Sequence, residues 1–279
     1  AAKVGLGINF GDASEYVTNN DLGTATLLEA LWRRGFRGRL VLASSMVVYG
    51  EGVGRCASHG VVTAGPRLPA DLEAGRFEVR CPVSGCRHFL QWETVDETTP
   101  PRPRNVYAAT KLHQEHLCDV WGRESDATVV ALRYHNVYGP RMPRDTPYAG
   151  VAAIFRSALA AGRAPEVFED GGQTRDFIHV RDVALANVLA LTGEAVPPGV
   201  YNIASGSPRT VLGMARTLAA CLDAPGLEPE VTGSWRAGDV RHVVASPARA
   251  ADLLGFTASV SFEDGMAEFA AARMRTPVG

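Results

Sequence analysis

The chain has 279 residues, 46% hydrophobic and 21% charged, enough to bury a sizeable core without disulfide staples. Lys and Arg number 28 against 30 Asp and Glu, a net charge of -2, which excludes a strongly basic nucleic-acid binder. No run of about 20 apolar residues offers a membrane span, and five Cys make no disulfide framework, which points to a reducing, cytoplasmic setting.

In chain order, Leu22, Ala25, Leu28 and Leu31 recur at helical spacing and predict a helix over 12–35, closed by Gly35. The run Leu40-Val41-Leu42-Ala43 predicts a buried strand within 38–45. Residues 51–104 carry six Pro and three Cys without a long period and read as a loop-rich insertion. Helices are expected at 105–123, 151–162, 182–192, 210–222 and 262–273, with strands at 128–134 and 199–203. Strands alternating with helices argue for an α/β fold with a parallel sheet.

The sharpest chemical signal is Tyr107-Ala108-Ala109-Thr110-Lys111. Positions i and i+4 share a helix face, which sets a phenol beside an ammonium. An adjacent cation favours the phenolate, so such a pair serves as a general base. Ser44 and Ser45 stand at the end of a predicted strand, where doubly wound sheets bind ligands. Cys56-x2-His59 and Cys81-x4-Cys86 supply four groups that suit a structural zinc site, with free thiols as the alternative. Cys118 and Cys221 fall in predicted helices and read as core residues.

The ordered segments Ala1-Ala2, Asn19–Thr24, SSMVVYG (44–50), YAATK (107–111), RYHNVYGPR (133–141), GGQTRDFIHVRDV (171–183) and RAGD (236–239) resemble the extended short-chain dehydrogenase/reductase family. Its members are NAD-dependent sugar-nucleotide epimerases and dehydratases. The resemblance implies a Rossmann-type doubly wound parallel sheet with a smaller α+β substrate domain. It places the NAD-binding part at 1–139, interrupted by the 51–104 insertion. The sugar-nucleotide part is mainly 140–279, with some segments returning to the sheet. Tyr107 matches the catalytic base, Lys111 the lysine that lowers its pKa and holds the nicotinamide ribose, and Ser45 the hydroxyl on the sugar O4. Ala1, Ala2, Asn20, Ser44 and Tyr134 match cofactor-side positions. Met46, Asn136, Val137, Arg175, Arg236 and Asp239 match substrate-side positions, the two arginines suiting a diphosphate.

Dehydratases of the family carry acidic residues where this chain has Met46 and Val47, neither of which exchanges a proton. The resemblance therefore favours 4-epimerization of a dTDP- or UDP-hexose. A 4-ketoreductase using NAD(P)H and a catalytically inactive sugar-nucleotide binder stand as alternatives. The insertion resembles a C-P-x-C-G knuckle, except that Ser84 falls where its second Cys would be. The family's glycine-rich NAD loop has no counterpart here, so the chain is expected to lack roughly 60 residues or more ahead of Ala1. A homodimer through the 12–35 and 105–123 helices is also implied.

Overall fold

The computed structural model describes residues 2–5, 10–144, 150–222, 224, 226–236 and 238–276. A short 3-10 turn, Phe10–Asp12, leads into α1 (Ala13–Tyr16), and the helix then widens into a π-helical stretch, Val17–Leu22. It returns to α geometry in α2 (Gly23–Arg33). One regular helix is expected over this span. The widened turn coincides with Asn20, whose side chain is fully buried; π turns of this kind often mark functional positions. Gly35 ends the helix at φ +63°, a conformation that costs glycine little.

β1 (Arg39–Ser45) follows as expected and passes into a 3-10 turn, Met46–Tyr49. The insertion is more ordered than its composition suggests. β2 (Val53–Cys56) and β3 (Gly60–Thr63) form an antiparallel hairpin, α3 (Pro69–Glu73) follows, and β4 (Gln91–Trp92) adds to the other edge of β2. Strands of two to four residues fall below the length at which alternation is legible.

α4 (Val106–Ser125) carries the Tyr-Lys pair. Its N-cap, Asn105, accepts a hydrogen bond from the Ala108 amide at 2.9 Å, and Asp126 closes the helix in the left-handed region. β5 (Thr128–Tyr134) and β6 (Asn136–Tyr138) come next, then α5 (Val151–Ala160), β7 (Glu166–Val167) and β8 (Thr174–His179). α6 (Val180–Thr192), β9 (Gly199–Ile203), β10 (Pro208–Thr210) and α7 (Val211–Cys221) follow. β11 (Glu230–Val231), β12 (His242–Val243), α8 (Ala248–Leu254) and α9 (Phe262–Ala271) complete the described elements.

β1, β5 and β9 form a parallel sheet in that order, with Ser45 opposite Tyr134 and Tyr134 opposite Ile203. Alternation splits β5 between two cores. Val129 packs with Leu28, Cys118 and Trp121 from α2 and α4. Val130 and Leu132 pack on the other face with Val183, Ala186 and Ala190 of α6 and Ala250 and Leu254 of α8. Helices on both faces explain why β5 reads as a continuous apolar run. Full burial of each such side chain stabilises by about 1.5–3 kcal/mol.

A further core joins α5, α7 and α9 around Tyr138, Phe155, Phe177, Met214 and Met266. β8 pairs with β6, β10 and β12, and so carries the middle of the 171–183 motif as a strand that its mixed polarity conceals, with 180–183 opening α6. Cys118 is buried as expected. Cys221 is exposed, contrary to expectation, because α7 turns Val211, Met214, Ala215 and Leu218 inward and leaves its last residue outside.

Candidate active site

The carboxyl end of β1 and the first turns of α4 bring Ser45, Tyr107 and Lys111 together. Ser45 caps the 3-10 turn after β1, its Oγ accepting from the Val47 amide at 3.4 Å, and its side chain lies close enough to the Tyr107 phenol to act on its pKa. Burial pushes the phenol up to about 12, opposed by the Ser45 side chain. Lys111 lies on the same helix face, its Nζ 5.9 Å from the Tyr107 ring centroid. The expected lowering of the tyrosine pKa is thus not seen in the protein alone. At that separation the ammonium does not offset desolvation of the phenolate.

Burial also draws Lys111 down to about 8, with Glu115 acting in the opposite sense. Its ammonium donates to the Ala43 carbonyl at 2.9 Å, the one hydrogen bond it makes among the described residues. Two of its three N–H donors therefore stay available. A buried donor pair beside a phenol fits the vicinal hydroxyls of a nicotinamide ribose, so the chain's own groups suit that end of NAD.

Asn20 links this pair to the chain's first described residues. Its Nδ2 donates to Thr110 Oγ1 at 2.9 Å and to the Lys3 carbonyl at 3.1 Å, and its Oδ1 accepts from the Lys3 amide at 2.8 Å. Gln114 of α4 donates to the Asn20 carbonyl at 3.2 Å. Asn20 thereby holds the segment containing Ala2 against the helix that bears Tyr107. Ala1 lies outside the described residues, as does Ala237 of the RAGD motif.

Ser44 points to the opposite face from Ser45, as strand alternation demands. Its hydroxyl hydrogen-bonds Glu115, so its side chain is taken up by the structure behind the site. Tyr134, at the end of β5, gives its phenol to Asn187 of α6 at 2.8 Å. Met46 is 8% exposed and packs with Val48, Tyr49 and Val95, so its side chain serves the core. Asn136 and Val137 open β6 beyond the same sheet end. Asn136 keeps a buried Oδ1 without a hydrogen-bond partner among the described residues, a polar atom that calls for a ligand or water.

The second wall comes from β8 and the loop after β11. Arg175 donates to the carbonyls of Thr174, Arg241 and Val240 at 2.9, 2.8 and 2.5 Å, and burial lowers its pKa. Arg236 is exposed and lies 4.8 Å over the Phe168 ring. Burial raises the Asp239 pKa, while Arg175 and Arg236 act to lower it, which places the three charges within electrostatic reach. Two guanidinium groups near one partly buried carboxylate suit an anion that brings more than one negative charge.

Two buried charge networks were not foreseen from the motifs. Behind Ser45, Arg133 grips Glu115 with two hydrogen bonds of 3.0 and 2.7 Å and donates to Tyr49 Oη at 2.8 Å. Under the substrate wall, Arg67 of the insertion donates to Glu51 at 3.1 Å, Glu169 at 2.7 Å and the Asp239 carbonyl at 2.8 Å. Arg241 meets Glu169 at 2.9 Å and Glu78 at 2.7 Å. Glu115 lies four residues after Lys111, so its place on that helix face was available from spacing. The Arg67 contacts span 102 residues to Glu169 and had no local signal.

A parallel sheet wrapped on both faces, with a Ser-Tyr-Lys group at its carboxyl end, is the frame of a nicotinamide-dependent enzyme of the short-chain dehydrogenase type. The chain belongs to the NAD dependent epimerase/dehydratase family, whose model matches residues 86–204. It is 35% identical over 269 residues to a dTDP-L-rhamnose 4-epimerase of Burkholderia thailandensis, covering 96% of this chain and 72% of that protein. It is 34% identical over 174 residues to a UDP-glucose 4-epimerase of Mycolicibacterium smegmatis, covering 62% of this chain and 54% of that protein. The UDP-glucose 4-epimerase of Thermus thermophilus, solved with NAD, superposes with a TM-score of 0.73 at 30% identity, covering 97% of this chain and 74% of that one.

No helix among the described residues is long and apolar enough to cross a membrane.

Proposed function

We propose that the chain is the catalytic part of an NAD-dependent 4-epimerase acting on a dTDP- or UDP-hexose. The observation that carries this reading is the Ser45–Tyr107–Lys111 group set at the sheet end, with Arg175, Arg236 and Asp239 gathered on the second wall. Met46 supports it further, because a dehydratase needs a proton donor at a position where this chain buries a thioether.

Arg175 and Arg236 hold the diphosphate, and Asn136 meets the sugar diphosphate near the sheet end. Ser45 orients the sugar O4 toward Tyr107. Bound NAD would supply the hydride acceptor and donor for C4. Tyr107 takes the O4 proton as the hydride leaves C4, with the Lys111 ammonium on the same helix face favouring the phenolate. The 4-keto sugar turns in the pocket, and Tyr107 returns the proton to O4 on the inverted centre. Lys111 would hold the ribose hydroxyls of NAD through its two remaining donors.

The protein, incubated with dTDP- and UDP-hexoses without added cofactor, is expected to yield C4 epimers by NMR. A strict requirement for added NADPH identifies a 4-ketoreductase instead, and no turnover with sugar-nucleotide binding identifies an inactive binder. In the same assay Arg236→Ala is expected to raise KM about 10- to 100-fold with kcat little changed, since a charged hydrogen bond is worth about 1.5–3 kcal/mol.

We also infer a cytoplasmic homodimer. The exposed Leu27 and Trp32 on α2 and Val120 on α4 support a shared helical interface, and the free cysteines fit a reducing compartment.

A further inference from the structure

We propose that the insertion is a zinc knuckle, with Cys56, His59, Cys81 and Cys86 holding one structural Zn2+. The four ligand atoms lie within 4.8 Å of one another. Cys56 Sγ is 3.4 Å from His59 Nδ1 and 3.7 Å from Cys86 Sγ, and Cys81 Sγ is 3.6 Å from His59 Nδ1. A tetrahedral Zn2+ with Zn–S about 2.3 Å and Zn–N about 2.0–2.1 Å requires edges of about 3.8 Å for S···S and about 3.5 Å for S···N. The three separations match those edges.

The departure at Ser84 is resolved by the local backbone. Ser84 is exposed and is not among the clustered ligand groups. The Cys86 amide donates to the Val83 carbonyl at 3.0 Å, and Gly85 takes φ +78°. This tight turn swings Cys86 back toward Cys56, so C-x4-C spacing replaces the shorter knuckle. Cys56 ends β2, and His59 stands one residue before β3. Cys81 begins the second turn, its amide donating to the His88 carbonyl at 2.9 Å. The metal thus clips the β2–β3 hairpin to the turn at 81–86.

The insertion has reason to need a clip. Its own core is Cys56, Ala64, Val79, Cys81 and Leu90, of which two are the proposed ligands. A segment of this size with so few apolar residues gains order from a metal rather than from burial. Binding Zn2+ displaces three thiol protons and leaves the imidazole neutral, with Nδ1 on the metal and Nε2 toward solvent.

The test uses the full chain purified without chelator and tolerates failure of either the fold or the epimerase reading. Elemental analysis is expected to find about one zinc per chain. Cobalt exchanged for zinc is expected to show the visible ligand-field bands of a tetrahedral thiolate site. Cys86→Ser should weaken zinc binding more than about tenfold, while Cys221→Ser, on the exposed end of α7, should leave it unchanged. Removing the metal should lower the melting temperature, and Zn2+ alone should restore it. A chain without zinc when Zn2+ is supplied, unchanged zinc in Cys86→Ser, or a Cys56–Cys86 disulfide by mass spectrometry would overturn the proposal.

Discussion

Replacing Tyr107 with Phe is expected to lower turnover by about 100- to 10,000-fold, the usual contribution of a positioned general base. The substitution removes one oxygen. The ring keeps its place 6.0 Å from the Tyr16 ring, and Asn105 still caps α4. KM and the unfolding midpoint should therefore change little, and the loss should sit in kcat. On the proposed mechanism, the variant keeps Ser45 to orient the sugar O4 but has no group to receive its proton. Steady-state kinetics check this, and wild-type kcat in the variant would remove Tyr107 from the mechanism.

Glu115→Ala is expected to cost about 3–5 kcal/mol of stability. Arg133 is 3% exposed, and two of its nitrogens go to Glu115. Removing the carboxylate strands a buried guanidinium with the Tyr49 oxygen as its remaining partner in that network. The loss also frees the Ser44 hydroxyl. Urea unfolding measures the drop. The double replacement by Met at 115 and 133 should recover most of it, because an apolar pair of similar volume carries no desolvation cost. An unchanged midpoint in Glu115→Ala would mean that the pair contributes nothing net.

Much of the sheet, and the helix face of the candidate site, was legible in the chain itself. Apolar runs marked β1 and β5 because strands covered on both faces exclude polar residues, and i,i+4 spacing placed Lys111 beside Tyr107. β8 was hidden because Arg175, Asp176 and His179 interrupt its apolar residues. Those polar groups have partners far away in the chain: Asp176 accepts from the Ser205 and Gly206 amides at 2.6 and 2.8 Å. The state of Tyr107 was also out of reach, since desolvation depends on what packs around the phenol and not on the residue four positions on. Likewise, the pairing of Cys86 with Cys56 required the turn at Gly85, which spacing alone does not specify.

The insertion lies between two strands that must find each other. β1 and β5 are neighbours in register, yet residues 46–127 separate them along the chain. An excursion of that length slows strand pairing, because closure entropy must be lost before the contacts form. Each doubling of a flexible loop adds only about 0.6 kcal/mol to that cost, so the penalty falls when part of the excursion closes on itself first. The β2–β3 hairpin and the turn at 81–86 are local contacts of this kind. They shorten the effective path from Ser45 to α4, and so place the order of folding, as well as the shape of the site, partly under the control of the insertion.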